Sequence, residues 1–131
     1  MAGVKIDKGI VVPPCPPPDI NIEDWVASIS LIRKINPSKL HLTHFDAITD
    51  VDDHLDSLES ILWDWANWMK KPFEEGRAME EVTPEFMNYV ASQLRAGGLG
   101  EHEIQQYEAA NPSWMSVAGL LRYWKKKSEQ A

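Results

Sequence analysis

The chain has 131 residues, 44% of them apolar, which is enough for one hydrophobic core and too short for two ordinary domains. Its formal net charge of −7 argues against nucleic acid and anionic membrane surfaces as partners, because both would repel it. The single cysteine excludes an internal disulfide, and no apolar stretch reaches the roughly 20 residues that span a bilayer. We therefore expect a soluble cytoplasmic protein.

The N-terminal part predicts an extended segment, a stiff connector and a helix. Val4–Val12 is rich in β-branched residues and interrupted by Gly9, which indicates a short strand or hairpin. The prolines of Pro13–Pro18 exclude both helix and interior strand, so this run is a connector or, alternatively, a docking site for a proline-binding module. Asn21 is expected to cap a helix over Ile22–Ile35, whose apolar stripe would face the core.

A short strand and the longest helix follow. Lys39–Thr43 alternates polar and apolar residues, which predicts a strand with Leu40 and Leu42 facing inward. Asp50 is expected to cap a helix over Val51–Lys71 that is apolar on more than one side. Its tryptophans are most simply core, with an apolar ligand pocket or an oligomer interface as the alternatives.

Three more helices are predicted in the C-terminal part. The first is expected over Pro84–Ala96, with Thr83 as its cap, and the second over Glu101–Ala109. The last is expected to open at Asn111 and Pro112, as cap and first-turn proline, and to end at a run of lysines, which oppose the negative end of the helix dipole. The sequence therefore predicts a mostly α-helical protein with a few short β-strands.

The candidate site residues are His41, His44 and Asp46, at the end of the predicted strand. Strand ends that face helices are where α/β proteins bind ligands, and imidazole and carboxylate groups are ligands for divalent metals. On an ideal strand, however, His41 and His44 point to opposite faces. Spacing alone therefore favours structural roles for both histidines.

Two other groups have simpler explanations. His54 lies in the first turn of the long helix beside Asp50, Asp52 and Asp53, and a solvated helix start with acids near the positive dipole end explains this pattern. Cys15 between prolines has no neighbour in sequence that would activate a thiol, so we do not expect a nucleophile there.

The order of several short motifs along residues 2–70 resembles a known family. The motifs are Ala2-Gly3-Val4, Val11 through Ile20 with its prolines, Glu23-Asp24-Trp25, Pro37 through Phe45 with Thr43-His44-Phe45, and Asp50 through Leu55. In this order they resemble the C-terminal part of bacterial metallo-β-lactamase-superfamily hydrolases. The remaining residues, 83–131, resemble more weakly the helical extension that some members carry.

The resemblance implies both a fold and a role for His44. Residues 1–71 would be the C-terminal α/β segment of the αββα metallo-β-lactamase fold, and residues 72–131 a helical extension packed on it. His44 would be one ligand of a dinuclear site, usually zinc and sometimes iron or manganese. The metal pair would activate water for attack on an ester, thioester, amide or phosphodiester. Asp46 stands where the family often has glycine, and would be either a hydrogen-bond acceptor for a metal ligand, without binding the metal itself, or a turn residue.

The chain also departs from the family pattern, since it has no His-x-His-x-Asp-His motif. One imidazole cannot hold a catalytic metal, because even a minimal zinc site uses three protein ligands. We therefore expect a fragment or subunit that is inactive alone, binds no stoichiometric metal, and associates with the missing N-terminal half or with itself. Self-association would use the tryptophan-rich helix or an open strand edge.

Two functions outside this family stay open. The first is a non-enzymatic helical module for interaction or dimerisation. A weaker alternative is a carrier of apolar ligands, with Trp63, Trp65, Trp68 and Trp114 as the binding residues.

Overall fold

The computed structural model describes residues 3–5, 9–16, 20–42 and 47–130. Within these ranges the chain forms five helices and one two-stranded sheet. They are α1 (Ile22–Ile35), β1 (Leu40–His41), β2 (Ala47–Ile48), α2 (Val51–Glu74), α3 (Met79–Ala96), α4 (Glu101–Ala110) and α5 (Ser113–Glu129). The prediction of a mostly helical protein with short strands is confirmed. Among the described residues, no helix is both long and apolar enough to cross a membrane.

The N-terminal segment is bonded to itself and to the C-terminal helices. Val4 and Val12 form an antiparallel bridge, with N–H to O distances of 2.8 Å in both directions. The Tyr107 hydroxyl donates to the Ile10 carbonyl at 2.5 Å, and the Asn111 side-chain amide donates to the Pro13 carbonyl at 3.1 Å. The described part of the connector is thus built into the fold, which leaves less of it available to a proline-binding module.

Helix α1 begins and ends where the sequence predicts. The Asn21 side chain accepts a hydrogen bond from the Asp24 amide at 3.0 Å, which satisfies one of the free donors of the first turn. Asn36 ends the helix in the left-handed region, at φ 53°, a conformation that asparagine tolerates better than most residues. Ile22 and Ile29 are buried, but Leu31 of the same helix is 58% exposed.

Helix α2 is longer than predicted. It continues past Lys71 to Glu74, with Pro72 inside its last turn. A proline this close to the C-terminus removes one backbone donor near the end of the ladder and leaves the rest intact, so the helix can continue. Asp50 does precede the first helical residue, but its side chain makes no capping hydrogen bond.

Helix α3 begins at Met79, so the predicted start at Thr83 and Pro84 is wrong. The Thr83 hydroxyl donates back to the Met79 carbonyl at 2.8 Å instead of capping the following turn. Val82 is fully buried. Burial of this earlier turn explains why the helix extends upstream of the local cap-and-proline signal.

Helix α5 begins as predicted, but a different residue caps it. The carboxylate of Glu108 accepts from the Ser113 amide at 2.9 Å and from the Ser113 hydroxyl at 2.7 Å. The positive end of the helix dipole also stabilises a carboxylate at this position. Asn111, which we expected to be the cap, instead bonds to the connector.

One hydrophobic cluster joins the two parts that the sequence divided at residue 71. Helix α5 packs against both α2 and α3, while α1 packs on α2. Leu58 and Leu62 of α2 are fully buried in the same cluster as Phe86 of α3 and Leu120 of α5. Arg33 of α1 also bonds to two carboxylates of α2, those of Asp56 and Glu59, at 2.6 and 2.9 Å.

Candidate functional site

The strand pair around the predicted site is short and antiparallel. Leu40 pairs with Ile48, and His41 pairs with Ala47. The His41 side chain is exposed, whereas Leu42 is buried, so the predicted alternation of the strand is confirmed for these two residues. His41 therefore faces solvent on β1.

The other two candidates, His44 and Asp46, lie outside the described residues. Across the part of the chain that the structure describes, no three His, Cys, Asp or Glu side chains come together in a group able to bind a metal ion. His44 as a metal ligand stays a prediction.

The start of α2, next to this strand pair, differs from our expectation in one respect. Asp52 and Asp53 are exposed, as expected of a solvated helix start. The negative charge of Asp50, together with a hydrogen bond to it, raises the pKa of the Asp53 carboxyl. His54 is only 4% exposed, because it lies on the side of α2 that carries the buried Leu55 and Leu58. The expectation of a solvated histidine is wrong.

Cys15 is fully buried in the connector. Burial raises the pKa of its thiol well above the usual range. A thiol in this state is a poor nucleophile and a poor metal ligand.

A cavity of about 220 Å³ lies between α3, α4 and α5. Its apolar wall consists mainly of Trp65, Phe86, Val90, Leu94, Ile104 and Tyr107, and Val12 of the connector also contributes. Phe86 packs edge-on against Trp65, with ring centroids 5.0 Å apart. Phe86, Leu94 and Trp65 are almost completely buried, so little of their surface faces the cavity.

The charged groups of the cavity lining already have partners. The Arg95 guanidinium bonds to the Glu101 carboxylate at 2.7 Å, and the Glu108 carboxylate caps α5 through Ser113. The Ser116 hydroxyl differs, because Ser116 is 1% exposed and its oxygen has no hydrogen-bond partner in the described structure. The oxygen is itself buried, so it packs beside the cavity and does not open into it.

A hydrogen-bond network joins Trp65 and Asp64 of α2 to side chains of α3. The Trp65 indole N–H donates to Gln93 Oε1 at 2.9 Å, and Gln93 Nε2 donates to Asp64 Oδ2 at 2.7 Å. The Tyr89 hydroxyl donates to the same Asp64 oxygen at 2.6 Å. Burial, followed by the hydrogen bond to Asp64 and its negative charge, raises the pKa of Tyr89 to about 12. These bonds fix the orientation of the Trp65 ring against the cavity.

The sequence anticipated this cavity only in part. Of the four tryptophans named for an apolar ligand, Trp65 lines it, while Trp114 is 51% exposed. Ser116 was missed, although its position four residues before Leu120 on an amphipathic helix marks a polar residue on the buried face. That spacing was the available signal.

Comparisons with protein-family models, with curated proteins and with solved structures give no match for this chain.

Proposed function

We propose that this chain is the C-terminal segment of a metal-dependent hydrolase of the metallo-β-lactamase superfamily, in which His44 supplies one metal ligand. The observation that carries the proposal is the pairing of β1 with β2. It pairs His41 with Ala47, the described residues on either side of this part of the sequence, shortly before α2 begins at Val51. The resemblance assigns the metal ligand to the end of such a strand.

The remaining ligands would come from polypeptide outside this chain, which lacks the His-x-His-x-Asp-His motif. An exposed apolar surface on α1 supports such an association. Leu31 is 58% exposed and Ile35 is 68% exposed, and side chains four apart lie on the same face of a helix. In the complete protein, zinc, iron or manganese would lower the pKa of bound water and polarise the substrate.

The test compares the chain as it stands with a version extended upstream in its reading frame. We expect the extended protein to copurify with metal and to hydrolyse generic ester or phosphodiester substrates, and the chain alone to do neither. In the extended protein, His44→Ala should lower metal affinity at least about tenfold. His102→Ala, at an exposed position of α4, is the control and should leave the metal content unchanged.

Two results would contradict the proposal. One is tightly held stoichiometric metal with turnover in this chain alone. The other is an extended reading frame without the histidine motif.

The exposed pair on α1 also favours the second candidate function, a non-enzymatic module that binds a partner or dimerises. Leu31 and Ile35 would then contact the partner directly. This function would be supported if the natural gene begins at Met1 and the purified protein retains no metal.

A further inference from the structure

One face of α1 lies opposite the side that is buried in the core, and it carries two large apolar side chains. Leu31 is 58% exposed and Ile35 is 68% exposed. At 3.6 residues per turn they share this face with Asp24, Ala27 and Lys34, which are also exposed. We call these five residues the outer face of α1. Its apolar side chains are open to contact with another molecule.

The outer face carries opposite charges at its two ends. Asp24 lies in the first turn of the helix and Lys34 in the last. Within the described residues neither side chain forms an ion pair, whereas Glu23 and Arg33 of the same helix bond to α5 and α2. The order acid, apolar, base is complementary to the same order in reverse. The outer face therefore fits an antiparallel copy of itself.

An antiparallel pair centred at the level of Ile29 matches the apolar and the charged side chains together. Leu31 of one copy lies across from Ala27 of the other, where the small alanine leaves room for it. Asp24 then lies across from Lys34, and the two-fold axis repeats both contacts. A parallel pair would instead bring like charges together at each end of the helix. The charges therefore favour the antiparallel arrangement.

We propose that α1 pairs in antiparallel orientation with α1 of a second copy of this chain, through contacts of Leu31 with Ala27 and ion pairs between Asp24 and Lys34. This inference rests on the second candidate function, dimerisation, and not on His44. Ile35, one turn beyond Leu31, extends the apolar contact at each end. The outer face has far fewer residues than the roughly 20–30 on each side of a stable interface. The dimer is therefore weak, with a Kd on the order of 0.1–1 mM.

The test reverses the two charges separately and together, and measures dimerisation by sedimentation at high protein concentration and one fixed salt concentration. Asp24→Lys and Lys34→Asp each replace both ion pairs by like charges, so each should weaken dimerisation about tenfold. The double variant with Asp24→Lys and Lys34→Asp restores the pairing, and its Kd should return to within about threefold of the parent value. An equal mixture of the two single variants should also associate, because their charges are complementary.

Controls separate the outer face from the overall charge and from helix stability. Asp24→Lys makes the chain less negative, which by itself favours association of a chain with a net charge of −7. Asp52→Lys makes the same change at an exposed position in the first turn of α2, with a similar effect on a helix dipole. Lys125→Asp, at an exposed position of α5, is the control for Lys34→Asp. Neither control should weaken dimerisation as the changes on the outer face do.

Two outcomes would overturn the proposal. One is a parent chain that stays monomeric at the highest concentration reached, in which case an upstream polypeptide and not a second copy is left to cover the outer face. The other is a dimer that both single variants leave unchanged, or that the double variant fails to restore. Neither outcome affects the proposal for His44, which is tested by the metal content of the extended protein.

Discussion

Gly119 of α5 lies so close to Cys15 that a methyl group on its Cα would be 1.9 Å from the Cys15 carbonyl oxygen. The neighbouring atom is backbone, which cannot rotate away. The Cys15 carbonyl carbon would follow at 2.9 Å and the Ile20 side chain at 3.2 Å. The proline connector therefore crosses α5 at a point where only glycine fits.

This contact predicts that Gly119→Ala destabilises the protein, although alanine favours helix more than glycine does. Separating α5 from the connector should cost about 1–3 kcal/mol in the free energy of unfolding, measured by urea denaturation. Gly100→Ala is the control, because the nearest atom to its added methyl group is the end of the flexible Glu103 side chain. It should cost less than about 1 kcal/mol. Equal stability of Gly119→Ala and the parent chain would show that the connector does not pack this tightly.

Local signals predicted the helix boundaries well where local bonds decide them. The Asn21 cap forms as the sequence indicates, and both ends of α1 are correct. The Thr83–Pro84 signal failed because the turn before it, with Val82, is buried, and that burial depends on residues distant in the chain. Propensity is overridden in this way whenever packing contributes more than a cap does.

The hydrogen bond from Tyr89 to Asp64 predicts a pH dependence of stability at high pH. The pKa of Tyr89 is raised from 10.0 to about 12, so the folded state holds its proton more tightly than the unfolded state. The resulting stabilisation is fully present below about pH 10 and is lost as the pH rises through about 12.

The measurement compares the parent chain with Tyr89→Phe. Removing the bond to the Asp64 carboxylate should cost about 1 kcal/mol near pH 8, at the low end for a bond to a charged group because Tyr89 is only partly buried. This difference should shrink near pH 11, where tyrosinate absorbance reports the ionisation directly. A difference that stays constant between these pH values would mean that the bond does not control the ionisation of Tyr89.

The sequence indicated candidate metal residues, whose role stays a prediction, but it did not indicate the cavity. His44 became a candidate through the resemblance, which rests on short motifs that are local in the sequence. The cavity is formed where three helices and Val12 fail to fill the space between them. Such a gap depends on how side chains distant in the sequence pack together. Periodicity could therefore place Ser116 on a buried face, but it could not show that the Ser116 hydroxyl lacks a hydrogen-bond partner among the described residues.

The exposed pair on α1 predicts where the chain associates with itself or with a partner. The sequence indicated the tryptophan-rich helix and the strand edge as candidates for self-association, but Trp65 of that helix is 2% exposed. The large apolar side chains that are exposed on α1 are Leu31 and Ile35. A variant with both Leu31→Gln and Ile35→Gln should keep its free energy of unfolding within about 0.5 kcal/mol per substitution. It should self-associate less in sedimentation at high concentration.

Two controls distinguish association through Leu31 and Ile35 from nonspecific association of exposed apolar side chains and from a loss of stability. Trp114→Gln removes a comparably exposed apolar side chain, 51% exposed on α5, and should leave self-association unchanged. Ile29→Gln, at a fully buried position of α1, should instead cost about 3 kcal/mol or more, because it places an amide in the core. Two results together would show that this face of α1 is not an interface. The parent chain would be a strict monomer at high concentration, and the double variant would bind the proposed N-terminal half as tightly as the parent chain does.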